Sequence, residues 1–230
     1  MNKRNVTMIL VAVGAVILIA CGAYFAYHQY KKATIKKTAV ADTVTHDYAA
    51  YAGDPELVGP RGNVPENAPN KDEFNLFAIP VPGKLSRSEQ PTLDEFRWMK
   101  ENGWKSVVDF RQDGEKDNQY AVDSKLPGFN ELGLRFLSLP IKDGGNPTNE
   151  QADQYLKFVT DPQNQPANVH CAAGIGRTGI AVALYRYSVE GWPMDKAIAE
   201  SSLYTKSLGK TQQKWLQKWA SNNAAGAYAK

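Results

Sequence analysis

Residues 170–179, HCAAGIGRTG, constrain the fold of this chain more tightly than any other stretch. Before them, Ala167–His170 follows Pro166 and has the length and apolarity of a short buried strand. After them a helical pattern runs from Arg177 to about Glu190 and is closed by Gly191. The chain must therefore turn from strand to helix between Cys171 and Arg177, and Gly174 and Gly176 make that turn sterically possible. A strand end facing a helix start is a place where backbone N–H groups lack partners and the helix dipole is positive, so the turn is built to receive an anion.

The surrounding pattern places this turn in an α/β domain with a central, mainly parallel sheet flanked by helices. Lys105–Phe110 (KSVVDF) and Arg135–Leu139 (RFLSL) are further predicted strands. Thr92 and Glu95 form a capping box ahead of Leu93, Phe96 and Met99, which predicts a helix ending before Gly103. Asn149–Thr160 carries Tyr155, Leu156, Phe158 and Val159 at helical spacing, and two more helices are expected at about 194–204 and 211–222. The folded domain is expected over 74–222, with a short tail at 223–230. Between about 31 and 73 the chain is rich in Ala, Thr, Gly, Pro and Asn without a sustained period, as in GDPELVGPRGNVPENAPN, and reads as a linker lying along the domain surface.

Within the turn, the residue types suit one chemistry. Gly174 and Gly176 let the amides curl inward around a dianion. Arg177 can close the bowl with a planar grip on two oxygens. A cysteine at a helix N-terminus beside a cation can have its pKa lowered to about 3.5–7.5, which makes Cys171 an anionic nucleophile near neutrality. Alone, each of these residues has a blander explanation: core cysteine, surface arginine, turn glycines. Their common register favours the phosphate loop.

HCAAGIGRTG resembles the HCxxGxxR(S/T)G signature of the protein tyrosine phosphatase superfamily, and this resemblance carries expectations. It implies that Cys171 forms a phosphocysteine intermediate, that Arg177 holds the phosphoryl group together with the loop 172–176 (Ala172, Ala173, Gly174, Ile175, Gly176), that Thr178 supports the cysteine, and that His170 orders the loop. Leu139–Thr148, LPIKDGGNPT, resembles the acid loop of dual-specificity members and puts Asp143 in the place of the general acid, 28 residues before the cysteine. Asp109, Asp113 and Asp117 are weaker candidates. Leu85–Pro91, LSRSEQP, is similar to atypical dual-specificity phosphatases, including inositol-phosphate enzymes, and makes Arg87 a candidate for substrate contact near the mouth of the site or, equally, for a structural ion pair.

The loop filler also resembles bacterial protein-tyrosine-phosphatase-like phytases, with the motif HCxxGxGRT. The short run from Phe74 to Cys171 favours a shallow mouth, and an inositol polyphosphate is the first expectation for substrate, ahead of a phosphoprotein. Lys84, Lys142, Lys206 and Lys210 are the cations that could meet extra phosphates from outside the loop. A binding module on a dead phosphatase fold and a rhodanese-like sulfur transferase are alternatives from other classes. The RTG ending and the upstream aspartate count against the second. Neither metal nor organic cofactor is implied, and a monomer is expected.

The N-terminus sets location. Val6–Ala20, VTMILVAVGAVILIA, follows Lys3 and Arg4 and has the composition of an export signal. Leu18–Cys21 resembles a bacterial lipobox, which would make Cys21 an acylation site. Apolar residues continue to Tyr27, however, and a single membrane-spanning helix with Tyr24, Tyr27 and Tyr30 as an interfacial belt stays open. Either reading places the domain at a membrane, in a bacterial periplasm or at a cell surface. Residues 1–37 hold six basic and no acidic side chains, leaving 21 of the 27 basic residues against all 24 acidic ones. The formal charge of +3 thus becomes −3 beyond the N-terminus, and no global basic field exists to draw in nucleic acid. Cys21 and Cys171 are the two cysteines, which excludes a disulfide framework.

Overall fold

A computed structural model describes residues 46–69, 74, 76–115, 123–204 and 207–229. Among these residues, five short strands form one sheet: β1 (Ala78–Val81), β2 (Leu85–Ser88), β3 (Ser106–Asp109), β4 (Arg135–Ser138) and β5 (Ala167–His170). Their order is β1-β2-β5-β3-β4. Only the β1–β2 hairpin is antiparallel; β2–β5, β5–β3 and β3–β4 are parallel. The helices are α1 (Leu93–Glu101), α2 (Asn149–Thr160), α3 (Gly176–Ser188), α4 (Met194–Ser201) and α5 (Lys210–Asn222).

Strand alternation sends side chains to two cores. Val107 joins Phe74, Phe77, Phe96, Met99, Trp104, Phe129 and Leu134 on the α1 face. Val108 joins Leu85, Val169, Tyr155, Leu156, Ile180 and Leu184 on the face covered by α2–α5. Helix α3 is buried at every position from Arg177 to Ser188, as expected of a helix that is apolar nearly all round. Capping boxes at Thr92 with Glu95 and at Thr148 with Gln151 start α1 and α2.

The two strands that sequence reasoning does not predict are β1 and β2. Pro80 interrupts β1, which an edge strand tolerates. β2 is LSRS, polar in composition yet buried at all four positions. Hydrogen bonds make that possible: Trp104 Nε1 donates to Ser86 Oγ at 2.7 Å, Ser86 Oγ bonds Asn168 Oδ1 at 2.9 Å, and Asn168 Nδ2 donates to Ser88 Oγ at 3.1 Å.

Residues 47–69, within the predicted linker, lie along the domain. The backbone N–H of Val58 donates to Glu200 at 3.0 Å, and Tyr204 Oη donates to the Val58 carbonyl at 2.9 Å. The C-terminal residues also pack back: Gly226 N–H donates to the Tyr187 carbonyl and Tyr228 N–H to that of Ser188. Among the described residues no helix is long and apolar enough to cross a membrane. The apolar N-terminal stretch and Cys21 lie outside the described residues.

Candidate active site

Parallel pairing puts the ends of β2, β3 and β5 at one edge of the sheet, where α/β proteins bind ligands. β5 delivers His170 and then Cys171 to that edge, and α3 begins five residues later at Gly176. The loop between them is braced from β2. Gln90 N–H donates to the Ala172 carbonyl at 3.0 Å, and Arg87 Nη2 donates to the Gly174 carbonyl at 2.6 Å. In a planar trans peptide, a carbonyl held outward turns the next N–H the opposite way, so Ala173 and Ile175 direct their N–H groups inward. Gly174 has φ +67°, and a Cβ there would lie 2.5 Å from Glu89 N and 2.7 Å from the Ser88 carbonyl. Only glycine fits. Cys171 is buried, whereas Ala172 and Ala173 are exposed at the rim.

Arg177 is 3% exposed and heavily engaged. Nη1 and Nη2 form a bidentate pair with Glu115, the Nη2–Oε2 distance being 3.0 Å. Nη1 also donates to the Ile141 carbonyl at 3.0 Å and to Phe110's at 3.3 Å. Burial pushes the Glu115 carboxyl upward, but its bonds to Arg177 and the Gln112 amide outweigh that and hold it below the usual range. Burial likewise opposes the Arg177 charge, and Glu115, Cys171 and Asp143 together more than restore it. Asp143 Oδ1 lies 3.4 Å from Arg177 Nη2, while the rest of its side chain is in solvent. The structure therefore brings Cys171, Arg177 and Asp143 to one place, with Lys142 exposed beside them.

His170 belongs to a fully buried quartet. Its Nε2 lies 2.5 Å from Asp123 Oδ2, and its Nδ1 lies 3.3 Å from the Cys171 carbonyl. Arg111 bridges Asp109 and Asp123 at 2.8 and 2.7 Å, and Gln90 Nε2 adds a bond to Asp123 at 2.9 Å. Burial pushes the imidazole down; the charges of Asp123 and Asp109 outweigh it, so His170 is held above its ordinary value. Asp123 is held low, its burial overcome by His170 and Arg111. Asp109, Asp123 and His170 could each offer an atom to a metal, but the Arg111 guanidinium already sits against both carboxylates, and a cation there would meet another. That arrangement does not fit a metal site.

Three expectations need correction. Arg87 does not stand at the mouth: it is 1% exposed and lies beneath the loop, holding Gly174. Lys84 is at the far edge of the sheet, because its carbonyl pairs with Ala167 at the start of β5 while the loop leaves the other end, roughly 13 Å away at ~3.3 Å per residue. Thr178 is buried, but its hydroxyl has no hydrogen-bond partner among the described residues, so the implied hydrogen bond to Cys171 is not made. Of the weaker acid candidates, Asp109 is locked in the quartet, Asp113 pairs with Lys125, and Asp117, like Lys206, is outside the described residues.

Sequence reasoning missed Glu115, Asp123, Arg111 and Gln212. Gln212, near the start of α5, would stand 3.2 Å from a Cβ on Gly176 and lies 3.4 Å from the Gly145 carbonyl of the acid loop. Asp109 and Arg111, two residues apart at the end of an apolar strand, were the one local signal, since charges there must be paired to be buried. Glu115 and Asp123 come to the site by tertiary folding and leave no local trace.

A family profile described as a DSP-PTPase phosphatase fused to NAD+ kinase matches residues 81–218. NAD kinase 2, chloroplastic, of Arabidopsis thaliana is 31% identical over 103 residues, 44% of this chain and 10% of that protein. The chain thus spans about a tenth of the length of the curated relatives it matches first. Among solved structures, a mutant form of Tk-PTP aligns with a TM-score of 0.51 at 23% identity, covering 62% of this chain and 93% of that one. PTPMT1 in complex with PI(5)P aligns with a TM-score of 0.52 at 19% identity, covering 60% and 91%.

Proposed function

Since the chain belongs to the family described by that profile, the DSP-PTPase phosphatases, we propose that it is a cysteine phosphatase that hydrolyses phosphoric monoesters through a phosphocysteine intermediate on Cys171, with inositol polyphosphates as substrates. The observation that carries the mechanism is the convergence of Cys171, the inward amides of the loop, Arg177 and Asp143 at one edge of the sheet.

The steps follow from these positions. The Cys171 thiolate attacks phosphorus in line with the ester oxygen, and the bond to that oxygen breaks as Asp143 gives it a proton. The amides and Arg177 hold the three equatorial oxygens where charge spreads in the transition state. Glu115 fixes the guanidinium so that little is reorganised when the phosphoryl group arrives. Water then attacks the phosphocysteine, giving its proton to the Asp143 carboxylate, and inorganic phosphate leaves.

The choice of substrate rests on the mouth. Ala172, Ala173, Lys142 and Asp143 are exposed around it, which suits a ring carrying several phosphates better than a slot for one aromatic side chain. Lys210 is exposed at the start of α5, two residues from Gln212. The test compares phosphate release from inositol hexakisphosphate and from a phosphotyrosyl peptide at mildly acidic pH with chelator present. Faster release from the inositol phosphate supports this reading; faster release from the peptide makes the protein a phosphoprotein phosphatase. The proposal includes export and a membrane tether through the apolar N-terminus, checked by whether the protein sediments with membranes and whether Cys21 carries lipid.

A further inference from the structure

Arg87 is an expensive residue to bury. It sits mid-way along β2 at 1% exposure, and its Nε and Nη1 have no hydrogen-bond partner among the described residues. It forms no ion pair among the described residues; burial pulls its guanidinium below the ordinary value, while Tyr204, Glu200 and Cys171 act the other way. A charge held under such terms does little for stability compared with an apolar side chain of similar volume. What it does hold is specific: Nη2 donates to the Gly174 carbonyl at 2.6 Å, and its guanidinium lies 3.4 Å from the centre of the Tyr204 ring.

Tyr204 is in turn fixed from the N-terminal side. It is fully buried, and its hydroxyl donates to the Val58 carbonyl at 2.9 Å. The Val58 N–H donates to Glu200, which Arg186 grips through Nε at 3.1 Å and Nη2 at 2.6 Å. Lys196 of α4 pins the same segment through Asp54 at 2.9 Å and through Glu56. An unbroken run of contacts thus leads from Asp54–Val58 through Tyr204 and Arg87 to the peptide whose N–H, at Ile175, faces into the bowl.

We propose that Arg87 is a positioning residue for the phosphate loop, and that the strap Asp54–Val58, acting through Tyr204, is the clamp that keeps it in place. The segment between the N-terminus and the domain is then part of the catalytic apparatus. Without Arg87 the Gly174–Ile175 peptide can rotate and withdraw an N–H from the oxyanion set. The inference rests on the reading of Cys171–Arg177 as the phosphoryl bowl.

The test uses the full chain with p-nitrophenyl phosphate as substrate and inorganic phosphate as inhibitor, in Arg87→Met, Arg87→Lys, Tyr204→Leu, Tyr204→Phe and Lys196→Ala variants, with melting temperature recorded for each. Arg87→Met and Tyr204→Leu are expected to weaken phosphate inhibition and kcat/KM by about tenfold or more per folded molecule, since small misplacements of such groups are costly. Tyr204→Phe keeps the ring and loses only the strap bond; it and Lys196→Ala are expected to show a smaller loss, about threefold, in the same two readouts. If Arg87→Met does not fold, Arg87→Lys decides, because lysine keeps the charge but not the planar stack. Variants that melt earlier yet keep the phosphate inhibition constant and kcat/KM within twofold would overturn the positioning role. Unchanged values in both Tyr204→Phe and Lys196→Ala would overturn the clamp. Failure of the parent chain to turn over p-nitrophenyl phosphate or to be inhibited by phosphate would instead refute the bowl itself.

Discussion

Asp123→Asn puts the buried quartet behind the loop to a quantitative test. Asp109, Asp123, Arg111 and His170 are all fully buried, and with His170 protonated their charges sum to zero. Asparagine keeps the volume but leaves a surplus positive charge, and breaking a buried pair in this way costs about 3–5 kcal/mol. The loss depends on pH in a direction the structure sets. His170 is held above its ordinary value of 6.5, so its share of the stability is complete below that pH and fades as pH rises through the folded value. Asp123 is held below 3.8, so its share is complete above that pH and is lost only in stronger acid. Both are in force between roughly pH 4 and 6.5. For a unit of this size a melting temperature moves by about 2–4 °C per kcal/mol, so the variant should melt roughly 6–20 °C lower at about pH 5.5. The deficit should shrink as pH rises through the folded value of His170, since a neutral imidazole no longer needs the carboxylate. Calorimetry across that range decides: a shift under about 2 °C at pH 5.5, or one that does not shrink with alkalinity, refutes the charged quartet.

Asp143→Asn should lower kcat/KM for alkyl phosphates by about 10²- to 10⁴-fold while largely sparing kcat/KM for p-nitrophenyl phosphate, whose leaving group needs little proton; equal losses of kcat/KM on both, or a loss within a factor of a few, place the acid elsewhere. Glu115→Gln removes a charge-assisted pair worth about 1.5–3 kcal/mol to the placement of Arg177, and kcat/KM should fall by roughly 10- to 100-fold in steady-state assays. Gly174→Ala forces a side chain into a left-handed position against β2, and should cost ~2 kcal/mol or more by denaturant unfolding together with most activity. A variant of normal stability and rate would show that the loop is not braced as described.

Much of this architecture was legible because it is local. The capping boxes at Thr92 and Thr148, the amphipathic run Asn149–Thr160 and the apolar strand Ala167–His170 each declare themselves within a few residues, and their observed bounds lie close to those expected. The turn from strand to helix at Cys171–Gly176 was legible for the same reason: a strand end, two glycines and an arginine are contiguous. What stayed hidden depends on pairing across the sheet. LSRS does not look like a buried strand until Asn168 and Trp104 supply partners for its serines, and Lys84 cannot be assigned to an edge until the direction of β2 against β5 is known. Arg87 has the composition of a surface residue and becomes a buried one only because Tyr204, more than a hundred positions later, covers it. Thr178, next in sequence to the arginine, is expected to serve the cysteine, yet the helical turn that starts α3 leaves its hydroxyl without a hydrogen-bond partner among the described residues.

The claim that Cys171 is the nucleophile is tested most directly by acid quenching during turnover of p-nitrophenyl phosphate, followed by mass spectrometry of the peptide containing residue 171, alongside Cys171→Ser. The account predicts that the parent peptide gains one phosphoryl group, on Cys171, and that the serine variant binds phosphate but has no measurable turnover. Substantial turnover by purified Cys171→Ser, or a phosphoryl adduct on another residue, would contradict it.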